Sequence, residues 1–197
     1  MQILHLGDLE LTLPLAAAVG TWLLAARSWR AAAAWAVLYG GAVGLVGGSK
    51  IAYLAWGVDI PMLDFKAISG HATGVTAVYP LVGYLLCRHA GGRAGLAAMA
   101  AGLLLGAVVA VELVRQDEHS AAEAAAGWML GAGVSVGTVY QTEPAGVSLN
   151  LASAASAALV FMVAASLMQS AHVGYWMIKV ALALSGNARP YSWDSCG

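Results

Sequence analysis

The chain has 197 residues, of which nine are Lys or Arg and ten are Asp or Glu, for a formal net charge of −1. Charged residues make up 10% and hydrophobic residues 60% of the chain, with a mean hydropathy of +0.76, whereas a soluble domain carries about 25% charged residues. This composition excludes a disordered chain and argues against a water-soluble globule, which could not cover its surface with so few charges. The near-zero net charge leaves no basic footprint for nucleic acid. Two cysteines, Cys87 and Cys196, are too few for a disulfide framework. The expected class is an integral membrane protein.

Because charges are scarce, the gaps between them divide the chain. Residues 11–26, 31–49, 67–87, 94–111, 124–142 and 151–168 carry no Asp, Glu, Lys or Arg. A spanning helix needs roughly 17–25 mostly apolar residues, so six spans are expected in an all-α membrane bundle. Runs of small residues such as 40–44 would make poor helices in water, but in lipid they let helices approach closely. The first ten residues lack Lys and Arg but contain Asp8 and Glu10, which argues against a secretory signal and for a retained first span.

Residues 172–184 form a short apolar stretch with Lys179 near its middle. It reads as an interfacial helix, with a seventh span as the alternative. The tail, 185–197, is rich in Gly, Asn, Pro and Ser and reads as irregular. With no internal repeat or linker, residues 1–197 are expected to form one domain. Trp22, Trp29, Trp56, Trp176 and Trp193 fall mostly near span ends, where an aromatic belt would explain them.

Six alternating spans put Arg27, Arg30, Arg88, Arg93 and Glu143 on one side, four bases against one acid, net +3. The other side receives five bases and nine acids, net −4. The positive side is expected to be cytoplasmic. Both termini then lie outside, as in a multi-pass protein of a bacterial-type inner membrane.

On this topology several ionisable groups share the outer level: Lys50, His71, Arg115, His119 and Glu123. Ionisable residues at membrane depth are costly and point to function. Ser69-Gly70-His71 at a helix start offers a hydroxyl cap, free backbone N–H groups and the positive end of the helix dipole, an anion site. Lys50 adds a point charge suited to phosphate. His119 and Glu123, one helical turn apart, make a base held by a carboxylate, and His71 can serve as general acid. Two histidines, a carboxylate and anion-holding groups describe phosphoryl transfer through a histidine intermediate.

These residues resemble the type 2 phosphatidic acid phosphatase superfamily, whose motifs are K-x-x-x-x-x-x-R-P, P-S-G-H and S-R-x-x-x-x-x-H-x-x-x-D. Lys50 stands for the first motif, Ile68-Ser69-Gly70-His71 for the second, and His119 with Glu123, followed by Gly127, for the end of the third. The resemblance covers residues 49–130. It implies His119 as nucleophile, His71 as the acid that protonates the leaving group, Glu123 as the carboxylate that orients the nucleophile, and Lys50 and Arg115 as phosphate holders. It also implies a lipid phosphate or isoprenyl pyrophosphate as substrate, without metal or cofactor. The chain departs from the pattern at Gly57-Val58 (Arg-Pro in the family), Ile68 (Pro), Glu123 (Asp) and Leu113 (Arg). Arg115, four residues before His119, would have to replace that last arginine, and Arg189-Pro190 could supply the other.

Each feature also has a plain structural reading. Lys50 could snorkel to the interface, Ser69 could simply cap a helix, His119 and Glu123 could be an ordinary i, i+4 pair, and Arg115 could pair with Glu112, Asp117 or Glu118. Other functional classes are an inactive family member serving as a lipid-binding scaffold, a haem electron carrier ligated by His71 and His119, and a metal hydrolase using Asp117, Glu118, His119 and Glu123. The last is disfavoured because adjacent acids on a helix point in different directions.

Overall fold

The computed structural model describes residues 3–142 and 150–192. Glu143, Trp193 and Cys196 lie outside the described residues. Seven α-helices occur among them: α1 (Leu9–Ala25), α2 (Trp29–Trp56), α3 (Gly70–Cys87), α4 (Gly92–Arg115), α5 (Ala121–Tyr140), α6 (Leu151–Met168) and α7 (Val173–Ser185). Short 3-10 turns cover Leu4–Gly7, Pro61–Leu63 and Arg88–Ala90. The architecture is an all-helical bundle, as the composition led one to expect.

The helix α3 is the centre of the bundle. It packs against α4 and α5 and touches α1, while α1 lies against α6 and α2 against α5 and α7. Residues Ala72 through Val78 are all buried. Their small and β-branched side chains let neighbouring helices come close. Gly127 of α5 marks a close approach to the start of α3: a Cβ there would stand 2.5 Å from the carbonyl oxygen of Ser69.

Helices α2, α4 and α6 are long and apolar enough to cross a membrane, while α1 and α7, at 17 and 13 residues, are shorter apolar helices. Leu45, Leu104 and Leu159 point outward from α2, α4 and α6, a surface suited to hydrocarbon and unsuited to water. The charge gaps misjudged α2, which continues through Lys50 to Trp56 and ends at Gly57, held in the left-handed region at φ +67°. Lys50 extends from the flank of a continuing helix and does not mark its end. Trp22 also departs from the aromatic-belt expectation. It is buried in a core with Trp35 and Leu81, whereas Trp29, Trp56 and Trp176 are exposed.

The α4–α5 turn is compact. Asp117 takes a left-handed conformation (φ +56°), the Glu118 amide donates to the Leu113 carbonyl and the Asp117 amide to that of Val114. This Schellman arrangement satisfies the last carbonyls of α4 and reverses the chain within five residues. The end of α2, the starts of α3 and α5, the end of α4 and residues 3–8 therefore meet at one end of the bundle.

Candidate functional site

Ser120 begins α5 with a capping box, its hydroxyl accepting from the Glu123 amide at 3.2 Å while Glu123 Oε2 accepts from the Ser120 amide at 3.3 Å. The same Glu123 Oε2 lies 2.7 Å from His119 Nδ1. Oε1 accepts two further bonds, from the amides of Lys66 at 2.7 Å and Ala67 at 3.0 Å. All four acceptor positions of the carboxylate are thereby used. The pair is enclosed, with side-chain exposures of 12% for His119 and 6% for Glu123. Three backbone N–H groups and one imidazole nitrogen converge on the carboxylate, an arrangement suited to its ionised form. An ionised Glu123 makes Nδ1 of His119 the donor and leaves Nε2 for chemistry.

The approach to α3 is tied down from both sides. Ile68 donates its amide to Ser49 Oγ at 3.1 Å, and Ser69 donates its amide to the Glu123 carbonyl at 3.2 Å. Ser69 is fully buried and its hydroxyl accepts from the Ala72 amide at 3.3 Å, capping α3. Its side chain is thus a helix cap and shapes the site only from within the fold. Gly70 and His71 occupy the first turn of α3, where backbone N–H groups have no carbonyl of their own helix to bond. A Cβ on Gly70 would stand 4.0 Å from Lys50 Nζ, so the ammonium lies over this turn. Lys50 and His119 are both within electrostatic range of His71, and Glu123 is within range of Lys50.

Lys50, Gly70, His71, His119 and Glu123 therefore come together, as their spacing suggested. Arg115 does not join them. Its side chain is 74% exposed, and its guanidinium lies 3.9 Å from Glu112. Leu113, where the resembled motif has arginine, is 1% exposed and packs with Val75, Val109 and Ala124. A guanidinium there would be buried without a partner. Among the described residues, no group of three or more His, Cys, Asp or Glu side chains is arranged to hold a metal ion.

Two features escaped the sequence. One is a cavity of about 280 Å³ beside the cluster, lined by Lys50 and His71 at its polar end and by Val43, Tyr39, Thr12 and Met177 along its mostly apolar wall. The other is Asp8, whose Oδ1 lies 3.1 Å from His71 Nε2 and whose Oδ2 lies 2.9 Å from His5 Nδ1. Its place just ahead of an uncharged stretch was visible, but nothing in the sequence joins it to a histidine 63 positions away.

No protein-family model matches the chain, and no solved structure matches it. Over 118 residues the chain is 33% identical to a Klebsiella pneumoniae protein described as an uncharacterized 22.5 kDa protein in cps region. The matched stretch is 59% of this chain and 56% of that protein, so the chain spans just over half the length of this relative.

Proposed function

We propose that this chain is an integral-membrane phosphatase that hydrolyses a lipid phosphate monoester or pyrophosphate through a phosphohistidine intermediate. In this reading it is a divergent member of the type 2 phosphatidic acid phosphatase superfamily. Six helices, α1 to α6, span a bacterial-type inner membrane, α7 lies at the interface, and the cluster faces the exterior. The observation that carries the reading is the enclosed His119–Glu123 pair, held by backbone amides, beside Lys50 and His71, which line an apolar cavity.

The chemistry follows from these positions. The phosphoryl group binds against Lys50 and the free amides at the start of α3. The lone pair of His119 Nε2 attacks phosphorus, and the bond from phosphorus to the lipid oxygen breaks. That oxygen takes a proton from His71. Water then attacks the phosphohistidine and passes a proton back to His71. Inorganic phosphate leaves, and both histidines return to their starting state. Glu123 stabilises the imidazolium character that develops on His119. No metal or cofactor takes part in these steps.

The test is a phosphate-release screen of the purified protein in detergent, with EDTA present, against phosphatidic acid, phosphatidylglycerol phosphate and isoprenyl pyrophosphate. Release from at least one lipid is expected, and release from none of them would refute the reading. The exposed position of Arg115 favours a second reading, a lipid-phosphate binder without turnover. It would give saturable binding to the same lipids and no phosphate.

A further inference from the structure

Asp8 is the N-cap residue of α1, yet its carboxylate makes no cap bond to that helix. An aspartate in this position ordinarily accepts from the amides of the first turn. Here the backbone carbonyl of Asp8 serves α1, accepting from the Leu11 and Thr12 amides and from Thr12 Oγ1, while the carboxylate turns away to His71 and His5. The segment before it is docked on α3. Tyr79 donates its hydroxyl to the Leu6 carbonyl at 3.2 Å, and Ile3, Leu4 and Leu6 pack against the Val75, Val109 and Leu113 core. Gly7 allows the closest passage, since a Cβ there would stand 2.8 Å from the Cβ of His71. The chain before α1 is thus built to bring one carboxylate onto one ring nitrogen of His71.

We propose that Asp8 is a positioning residue for His71, an inference that rests on the phosphatase reading above. The ionised carboxylate requires a hydrogen on Nε2, so Nε2–H is held by Asp8 and the proton transferred in the reaction is the one on Nδ1. When the phosphorus–oxygen bond of the lipid ester breaks, the Nδ1–H bond breaks with it and the departing oxygen becomes an alcohol. His71 is left neutral with its Nε2–H still on Asp8. When water attacks the phosphohistidine, Nδ1 takes the water proton and the ring is restored. Asp8 fixes which nitrogen performs both transfers and which way it faces, and does not itself touch the substrate.

The test compares two leaving groups on the full chain in detergent. Phosphatidic acid expels a poor leaving group that needs an acid, whereas p-nitrophenyl phosphate expels one that departs unaided. Asp8→Asn is nearly isosteric and removes no cap bond from α1. It is expected to lower the single-turnover rate of phosphatidic acid cleavage about 10- to 100-fold, and to change the rate of the first-turnover burst of p-nitrophenol, which needs no acid, less than about threefold. On phosphatidic acid the double variant should be no slower than His71→Ala alone. A retained p-nitrophenol burst in the same sample shows that the variant is folded. Equal losses on both substrates would make Asp8 a structural residue and overturn the inference, as would no loss on either. A wild-type protein that releases phosphate from none of the three lipids and not from p-nitrophenyl phosphate would overturn the phosphatase reading itself.

Discussion

Two histidines at one end of the bundle are each held by a carboxylate, and the two pairs are built in opposite ways. His119 and Glu123 lie one turn apart, with the pair enclosed at 12% and 6% exposure and every lone pair of the carboxylate engaged. His71 and Asp8 come from distant parts of the chain, and their side chains remain 38% and 40% exposed. The first pair is bonded through Nδ1 and the second through Nε2. An enclosed, over-determined base suits a group that must meet one phosphorus atom in one geometry. A half-open acid suits a group that must exchange a proton with a departing oxygen and then with water. Under the proposed chemistry, the difference in burial is a division of labour.

The comparison can be broken most severely at His119. His119→Ala is expected to abolish phosphate release, a loss on the order of 10⁴-fold or more, measured on the best lipid substrate. Its partner comes next. Glu123→Gln should lower turnover by about 10²- to 10⁴-fold by releasing the tautomer and orientation of His119. The same variant sharpens the contrast in burial. An amide in place of the carboxylate puts its NH₂ against backbone N–H groups, so Glu123→Gln should cost about 1–3 kcal/mol of stability, read as a lower melting temperature.

Lys50→Ala removes the ammonium over the first turn of α3 and should reduce turnover about 10²-fold, mostly on kcat if the charge meets the transition state. The smallest effect belongs to Arg115. As an exposed partner of Glu112, its change to alanine should leave activity within about twofold. A large loss would show that Arg115 reaches the phosphate after all.

Helix positions were legible in the sequence because the cost of burying charge in lipid makes charge spacing informative. Residues 151–168, one of the charge-free stretches, coincide with α6. Where one charged residue sits within a longer helix the method failed, as at Lys50, because a lysine can lie along a helix without ending it. The His119–Glu123 pair was legible because it is local, obeying the helical period. Asp8 was not, and neither were the amides of Lys66 and Ala67 on Glu123, because those contacts depend on how the ends of separate helices meet. The true surroundings of Leu113 and Arg115 were hidden for the same reason. A residue's spacing from His119 says nothing about whether its side chain faces the core or water. Trp22 was misplaced likewise, since position near a span end does not decide which neighbour a ring packs against.

The central claim is that phosphate passes through His119. The most direct measurement is an acid-sensitive trap, in which the protein is mixed with a lipid phosphate labelled on phosphorus, quenched rapidly in alkali and digested, and the labelled peptide is identified. An alkali-stable, acid-labile label on His119 is expected, absent from His119→Ala. Full turnover with no label on the protein, or full turnover by His119→Ala, would contradict it.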